Sequence, residues 1–132
     1  MSAMDISVMD TFLESLVPRP SDPRTPPLRP PVFHILLALA GQDLHGLGIA
    51  DEVEKASGGA LELGPATLYR SLAELSDHGL VTVLPKGPPG ADPRRKYYRI
   101  TEPGRELVTT EATRLAGVLE VARARSVLPR GT

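Results

Sequence analysis

The sequence predicts a mainly α-helical domain with a small β-hairpin, in the order of a winged helix-turn-helix followed by a long carboxy-terminal dimerisation helix. Three observations lead there. Apolar residues recur at helical spacing in three short blocks between Pro31 and Gly79. Two β-prone runs, LVTVL (Leu80 to Leu84) and KYYRI (Lys96 to Ile100), frame a Pro- and Gly-rich segment, PKGPPGADPRR. Small or apolar residues then step 4-3-4-3 along a final helix, from Val108 through Ala112, Leu115 and Leu119 to Ala122. With 132 residues the chain has room for one core, too few for most large enzyme scaffolds.

Residues 1–29 read as an amino-terminal extension. Asp5 can cap a short amphipathic helix on which Ile6, Met9, Phe12, Leu13 and Leu16 recur, ending at Pro18. Seven of the 14 Pro fall between Pro18 and Pro31, a stretch that holds neither a helix nor a ladder strand and so reads as an extended linker or arm. Its Arg19, Arg24 and Arg29 either reach a phosphate or ride on a solvated spacer.

The winged-helix domain is expected over residues 30–100. Pro31 suits a first helical turn, and VFHILLALA (Val32 to Ala40) is apolar on nearly every side, as in a buried core helix that Gly41 stops. A second helix runs from about Gly46 to Ser57, with Leu47, Ala50, Val53 and Ala56 as its inward stripe. After a short extended piece, Ala60 to Leu63, the third helix opens at Gly64 and Pro65 and stops at Gly79, with Leu68, Leu72 and Leu75 on its core face. Two strands joined by the long Pro/Gly-rich tip form a hairpin, and one of Tyr97 and Tyr98 faces the core while the other faces out. Thr101 caps the last helix, placed at 101–126 before a tail at 127–132; Glu102 favours its dipole. About 22 residues span roughly 33 Å, more than a small core covers. The stripe of Leu107, Val108, Ala112, Leu115, Leu119 and Ala122 is therefore expected at a homodimer interface, the alternative being that it folds back on its own domain.

The net charge of −1 conceals a division along the chain: residues 64–99 carry six basic against three acidic side chains, residues 32–63 one against five. A basic segment is where a polyanion would dock. No Cys is present, which removes disulfides, thiol catalysis and Cys-ligated zinc and suits a reducing compartment. The longest near-apolar run is half of a membrane span and the amino terminus carries Asp5, Asp10 and Glu14 where a signal peptide is basic, so a cytoplasmic chain is expected, with no membrane partner. His34, His45 and His78 lie far apart without zinc-ligand spacing, and the glycines form no phosphate loop; no cofactor, metal or catalytic group is expected. His45 reads as a helix-start residue bonded to backbone.

In a winged helix the third helix enters the major groove and the hairpin follows the phosphates. Thr67, Tyr69, Arg70 and Ser71 are then the groove-facing group, with Arg70 able to donate twice to a guanine edge. Lys86, Arg94, Arg95 and Lys96 supply sequence-independent attraction. The competing function is a winged-helix protein-interaction module acting through the Pro-rich arm.

Three blocks, PPVFHILLALAGQDLHGLGIADEVEKASGG, LGPATLYRSLAELSDHGLV and DPRRKYYRITEPGREL, resemble the PadR-like transcriptional regulators in content and order over about residues 30 to 125. The resemblance implies a bacterial homodimer, usually a repressor, that binds a double-stranded inverted-repeat operator and in some members is released by a small effector. It maps LGPATLYRSL onto the recognition helix, Arg94 to Tyr97 onto the wing, and His45 and Gly46 onto a His-Gly pair. Leu47 stands where many relatives have Tyr, and Ala66 replaces a frequent Gly. The lack of Trp removes the drug-stacking residue of some short members.

Overall fold

The computed structural model describes residues 22–129; the amphipathic stretch from Asp5 to Leu16, the first part of the Pro-rich segment and the last three residues lie outside them. Four helices and a three-stranded antiparallel sheet follow in order: α1 (Pro30–Gly41), β1 (Leu44–His45), α2 (Gly46–Ala56), α3 (Pro65–Asp77), β2 (Val81–Leu84), β3 (Tyr97–Ile100) and α4 (Glu102–Ala124). No helix among them is long and apolar enough to cross a membrane.

Helix α1 is central. It contacts α2, α3, α4 and β3, which is why Val32, Ile35, Leu36 and Leu39 are all buried and why its sequence is apolar around most of the circumference. Gly41 closes its last turn. Helix α2 is rotated from the stripe that the sequence suggests: Gly46, Ile49 and Val53 face the core, Ala50 is half-buried, and Leu47 and Ala56 are exposed, Leu47 by 64%. The first inward position is a glycine, which adds nothing to an apolar period, so the neighbouring stripe through Leu47 looked equally good. Helix α3 starts at Pro65, buries Leu68, Leu72 and Leu75, and ends with Gly79 at φ +71°, where the Leu80 amide donates to the Leu75 carbonyl at 2.9 Å.

The hairpin gains a third strand, in the order β1-β3-β2. Leu84 pairs with Tyr97 and Val81 with Ile100 across the hairpin, while Leu44 and His45 pair with Tyr98 and Tyr97 on the other side. Two residues are too few to show a period of two, so β1 left no trace in the sequence pattern. Tyr98 is the core tyrosine and Tyr97 the half-buried one.

The start of α4 is fastened to the turn before β2. Thr101 accepts from the Gly104 amide at 3.2 Å, its hydroxyl donates to the Gly79 carbonyl at 2.6 Å, and its own amide donates to the Leu80 carbonyl at 3.1 Å. The opening turns thus belong to the domain: Gly104, Val108 and Glu111 are buried and Leu107 packs against the core. Val108 is a core residue of its own protomer, which corrects its place in the interfacial stripe. The helix is still packed against α1 over its opening turns.

Residues 22–29 are docked rather than a free spacer. Leu28 joins the core, and its amide donates to Glu111 Oε2 at 2.7 Å. Arg29 pairs with Glu74 of α3, and Arg24 with Asp22 within the turn. Glu111, 2% exposed, also accepts from Arg114 Nε at 2.5 Å. The Arg114 hydrogen bond, with the Leu28 amide behind it, holds the Glu111 carboxyl below its usual range although burial pushes it up. A carboxyl depressed in the folded state stabilises above its unfolded value of about 4.3 and loses that contribution as the pH falls. The thermal midpoint at pH 7 should fall in the order wild type, Glu111→Gln, Glu111→Ala, because Gln keeps an acceptor for Leu28. The gap between wild type and Glu111→Gln should narrow below about pH 4. A gap independent of pH would detach Glu111 from the acid limb of unfolding.

Candidate nucleic-acid interface

Four structural pieces meet around one open cleft of about 500 Å³. They are the loop end of β1 (His45), the first turn of α2 (Gly46, Leu47), the solvent side of α3 (Tyr69) and the base of the hairpin (Arg94, Arg95, Lys96), with the buried Tyr98 as floor. Because Leu68, Leu72 and Leu75 hold the other face of α3 in the core, Tyr69 and Arg70 are forced outward, while Thr67 and Ser71 sit half-buried at the edges of the exposed strip. Tyr69 leans over the start of α2: a Cβ at Gly46 would strike its hydroxyl and lie 2.9 Å from Cζ. The glycine therefore makes room for the ring and fixes where the phenol points.

The wing cations differ in their availability. Arg94 is held by Asp92, whose carboxylate accepts from its backbone amide at 2.9 Å and from Nη2 at 3.1 Å. Those hydrogen bonds, side chain first, also keep Asp92 well ionised, below the usual carboxylate range. Lys86 stands apart, on a second depression of about 360 Å³ formed by the Pro-rich tip itself. Arg95 turns back across the cleft, with Nη1 2.7 Å from His45 Nε2, and Lys96 is exposed beside it. Arg99, on the sheet's exposed side, is paired with Asp43 at 2.8 Å and ties β3 to the segment before β1. Arg70 makes no ion pair among the described residues.

Of the predicted binding residues, Tyr69, Arg94, Arg95 and Lys96 line the cleft together. Thr67, Arg70 and Ser71 continue the same helix, and Lys86 lies off at the tip. His45, Gly46 and Leu47 also line it, and the adjacent His-Gly dipeptide was the available signal. His45 caps α2, its Nδ1 accepting from the Gly48 amide at 3.1 Å, and its ring stands edge-on to Tyr97 with centroids 5.3 Å apart. The three histidines sit on α1, at the start of α2 and at the end of α3.

The chain matches the sequence profile of the transcriptional regulator PadR-like family over residues 35–110. An uncharacterized 37.1 kDa protein in transposon TN4556 of Streptomyces fradiae is 40% identical over 83 residues, covering 62% of this chain but only 22% of that protein. Among solved structures, a PadR family transcription regulator from Clostridium difficile R20291 superposes with a TM-score of 0.57 at 21% identity, over 70% of this chain and 95% of the other. Bacillus subtilis PadR in complex with operator DNA superposes with a TM-score of 0.50 at 23% identity, over 59% of this chain and 44% of the other.

Proposed function

The chain belongs to the PadR-like family of transcriptional regulators, and on that premise we propose that it is a sequence-specific DNA-binding regulator. It acts as a homodimer on an inverted-repeat operator and represses transcription from it. The observation that carries this reading is the cleft itself: the exposed strip of α3 and the cationic base of the hairpin open on one side of the molecule, with Tyr69, Arg95 and Lys96 lining the same space. A helix in the major groove and a hairpin along the flanking phosphates need that arrangement. Arg70, exposed and unpaired among the described residues, donates bidentately to a guanine edge. Thr67, Tyr69 and Ser71 donate to phosphates, and Lys86, Lys96 and the two arginines add attraction that weakens as salt rises. Operator DNA in the structure of Bacillus subtilis PadR supports the choice of partner.

Mobility shift and footprinting on the DNA upstream of the chain's own and adjacent genes, with random competitor, test this. The expected result is protection of an inverted repeat across about two helical turns; binding no tighter than to random duplex would reject it. Replacing Arg94, Arg95 and Lys96 by Ala should lower affinity for specific and random DNA alike, by roughly a hundredfold at moderate salt. The slope of log K against log salt should fall by about two units per half-site rather than three, because the Asp92 carboxylate offsets much of the Arg94 charge. An unchanged slope would remove the wing from the interface.

A further inference from the structure

The Nδ1 and Nε2 contacts of His45 are chemically incompatible in the free protein. A neutral imidazole has one N–H and one bare nitrogen, and a protonated one has two N–H groups. Nδ1 accepts from the Gly48 amide at 3.1 Å, so Nε2 must carry the hydrogen. That N–H faces Arg95 Nη1, a second obligate donor, at 2.7 Å. The opposite tautomer only moves the conflict to Gly48, whose amide is fixed in the first turn of α2, whereas the Arg95 side chain is exposed and free to swing. The cap therefore wins, and two donors point into the cleft with no acceptor between them. The ring cannot turn away easily, because Tyr97 stands edge-on against it and His45 itself is paired with Tyr97 in the β1–β3 ladder. The positive end of α2 lies beneath, and Lys96 and the Tyr69 hydroxyl border the same space.

We propose that His45 and Arg95 together grip one phosphodiester of the bound duplex, Nε2–H and the guanidinium donating to its non-bridging oxygens. An anionic oxygen accepts from both and removes the conflict at once. The grip rests on the DNA-binding reading but not on its sequence specificity, since a phosphate looks the same in every duplex. It also joins three elements mechanically. The imidazole that holds the phosphate caps α2, whose first glycine positions Tyr69 on α3, so a correctly seated backbone aligns the recognition helix.

Asn at position 45 separates the cap from the grip: its short amide still accepts from the helix start but does not reach across the cleft. His45→Asn should keep the wild-type fold by circular dichroism and a similar thermal midpoint. Its affinity should nevertheless drop about tenfold for operator and for random duplex. In a methylphosphonate scan, one phosphate per half-site should weaken the wild type and leave His45→Asn no weaker than before. Nitrogen shifts of the His45 ring should report the Nε2–H tautomer in the free protein. A folded His45→Asn that binds random duplex like the wild type would overturn the grip, as would the Nδ1–H tautomer. If the wild type shows no preference for any upstream sequence, specificity fails while the grip is still decided on random duplex; if it binds no duplex, both fall.

Discussion

Leu115→Asp combined with Leu119→Asp yields a monomer by sedimentation and lowers operator affinity by at least about a hundredfold. The reasoning starts from where α4 leaves the domain. Its 23 residues span about 35 Å, but burial ends at Glu111. Beyond that point Leu115 is half-buried, and Val118, Leu119 and Val121 are exposed, Leu119 by 46%, with Ala112 and Ala122 beside them. An apolar helix face projecting past its own core is the surface that a second copy of α4 covers in the proposed dimer. Two aspartates would each bury a charge there without a partner, which dissociates the pair. The fold should survive, because neither leucine belongs to the core cluster. Affinity falls because a dimer presents its second recognition helix at an effective concentration in the millimolar range, an advantage that a monomer loses entirely. A dimer that persists in the double variant would move the interface off this face.

Most of the architecture could be read from residue periodicity because strong local signals coincided with tertiary demands. Gly64-Pro65 and Gly79 bracket α3, Thr101 caps α4, and Leu68, Leu72 and Leu75 define a face that only a core can use. Legibility failed where the structural reason is a contact between distant residues. Glu111 looks like any solvent-facing helix charge, yet it is buried because Leu28, 83 positions away, needs an acceptor. The Pro-rich segment has no hydrogen-bond pattern of its own, so nothing in it announces that residues 22–29 are tied down by Glu111 and Glu74. Leu47 appeared inward because a glycine held the true first position of the α2 stripe. In the candidate site the residue types were evident but not their unequal states. That Asp92 occupies Arg94 while Arg95 faces His45 depends on a loop conformation that no periodicity encodes.

Gly104→Ala destabilises the domain by roughly 3 kcal/mol, lowering the thermal midpoint by roughly 10 °C, whereas Gly117→Ala on the same helix does not. In an exposed helix interior, Gly to Ala is worth up to about 1 kcal/mol of stabilisation. Gly117 meets that description, since nothing lies within 4 Å of a Cβ placed there. Gly104 does not. A Cβ there would collide with the Leu80 carbonyl and lie 2.9 Å from Ile100 Cγ1. The side chain could give way, but the carbonyl cannot, because it accepts from the Thr101 amide while the adjacent Gly79 carbonyl accepts from the Thr101 hydroxyl. Moving the turn breaks the cap of α4 and drags β2 and β3 with it; holding the turn lifts α4 off the sheet and exposes Val108. Either response acts on the joint between the wing and the carboxy-terminal helix. Gly104→Ala should therefore weaken DNA binding beyond what its unfolded fraction explains, measured at a temperature where the variant is still folded. If both alanine variants prove equally stable, the first turn of α4 is not seated against Leu80, and the rigid link between α4 and the wing is lost with it.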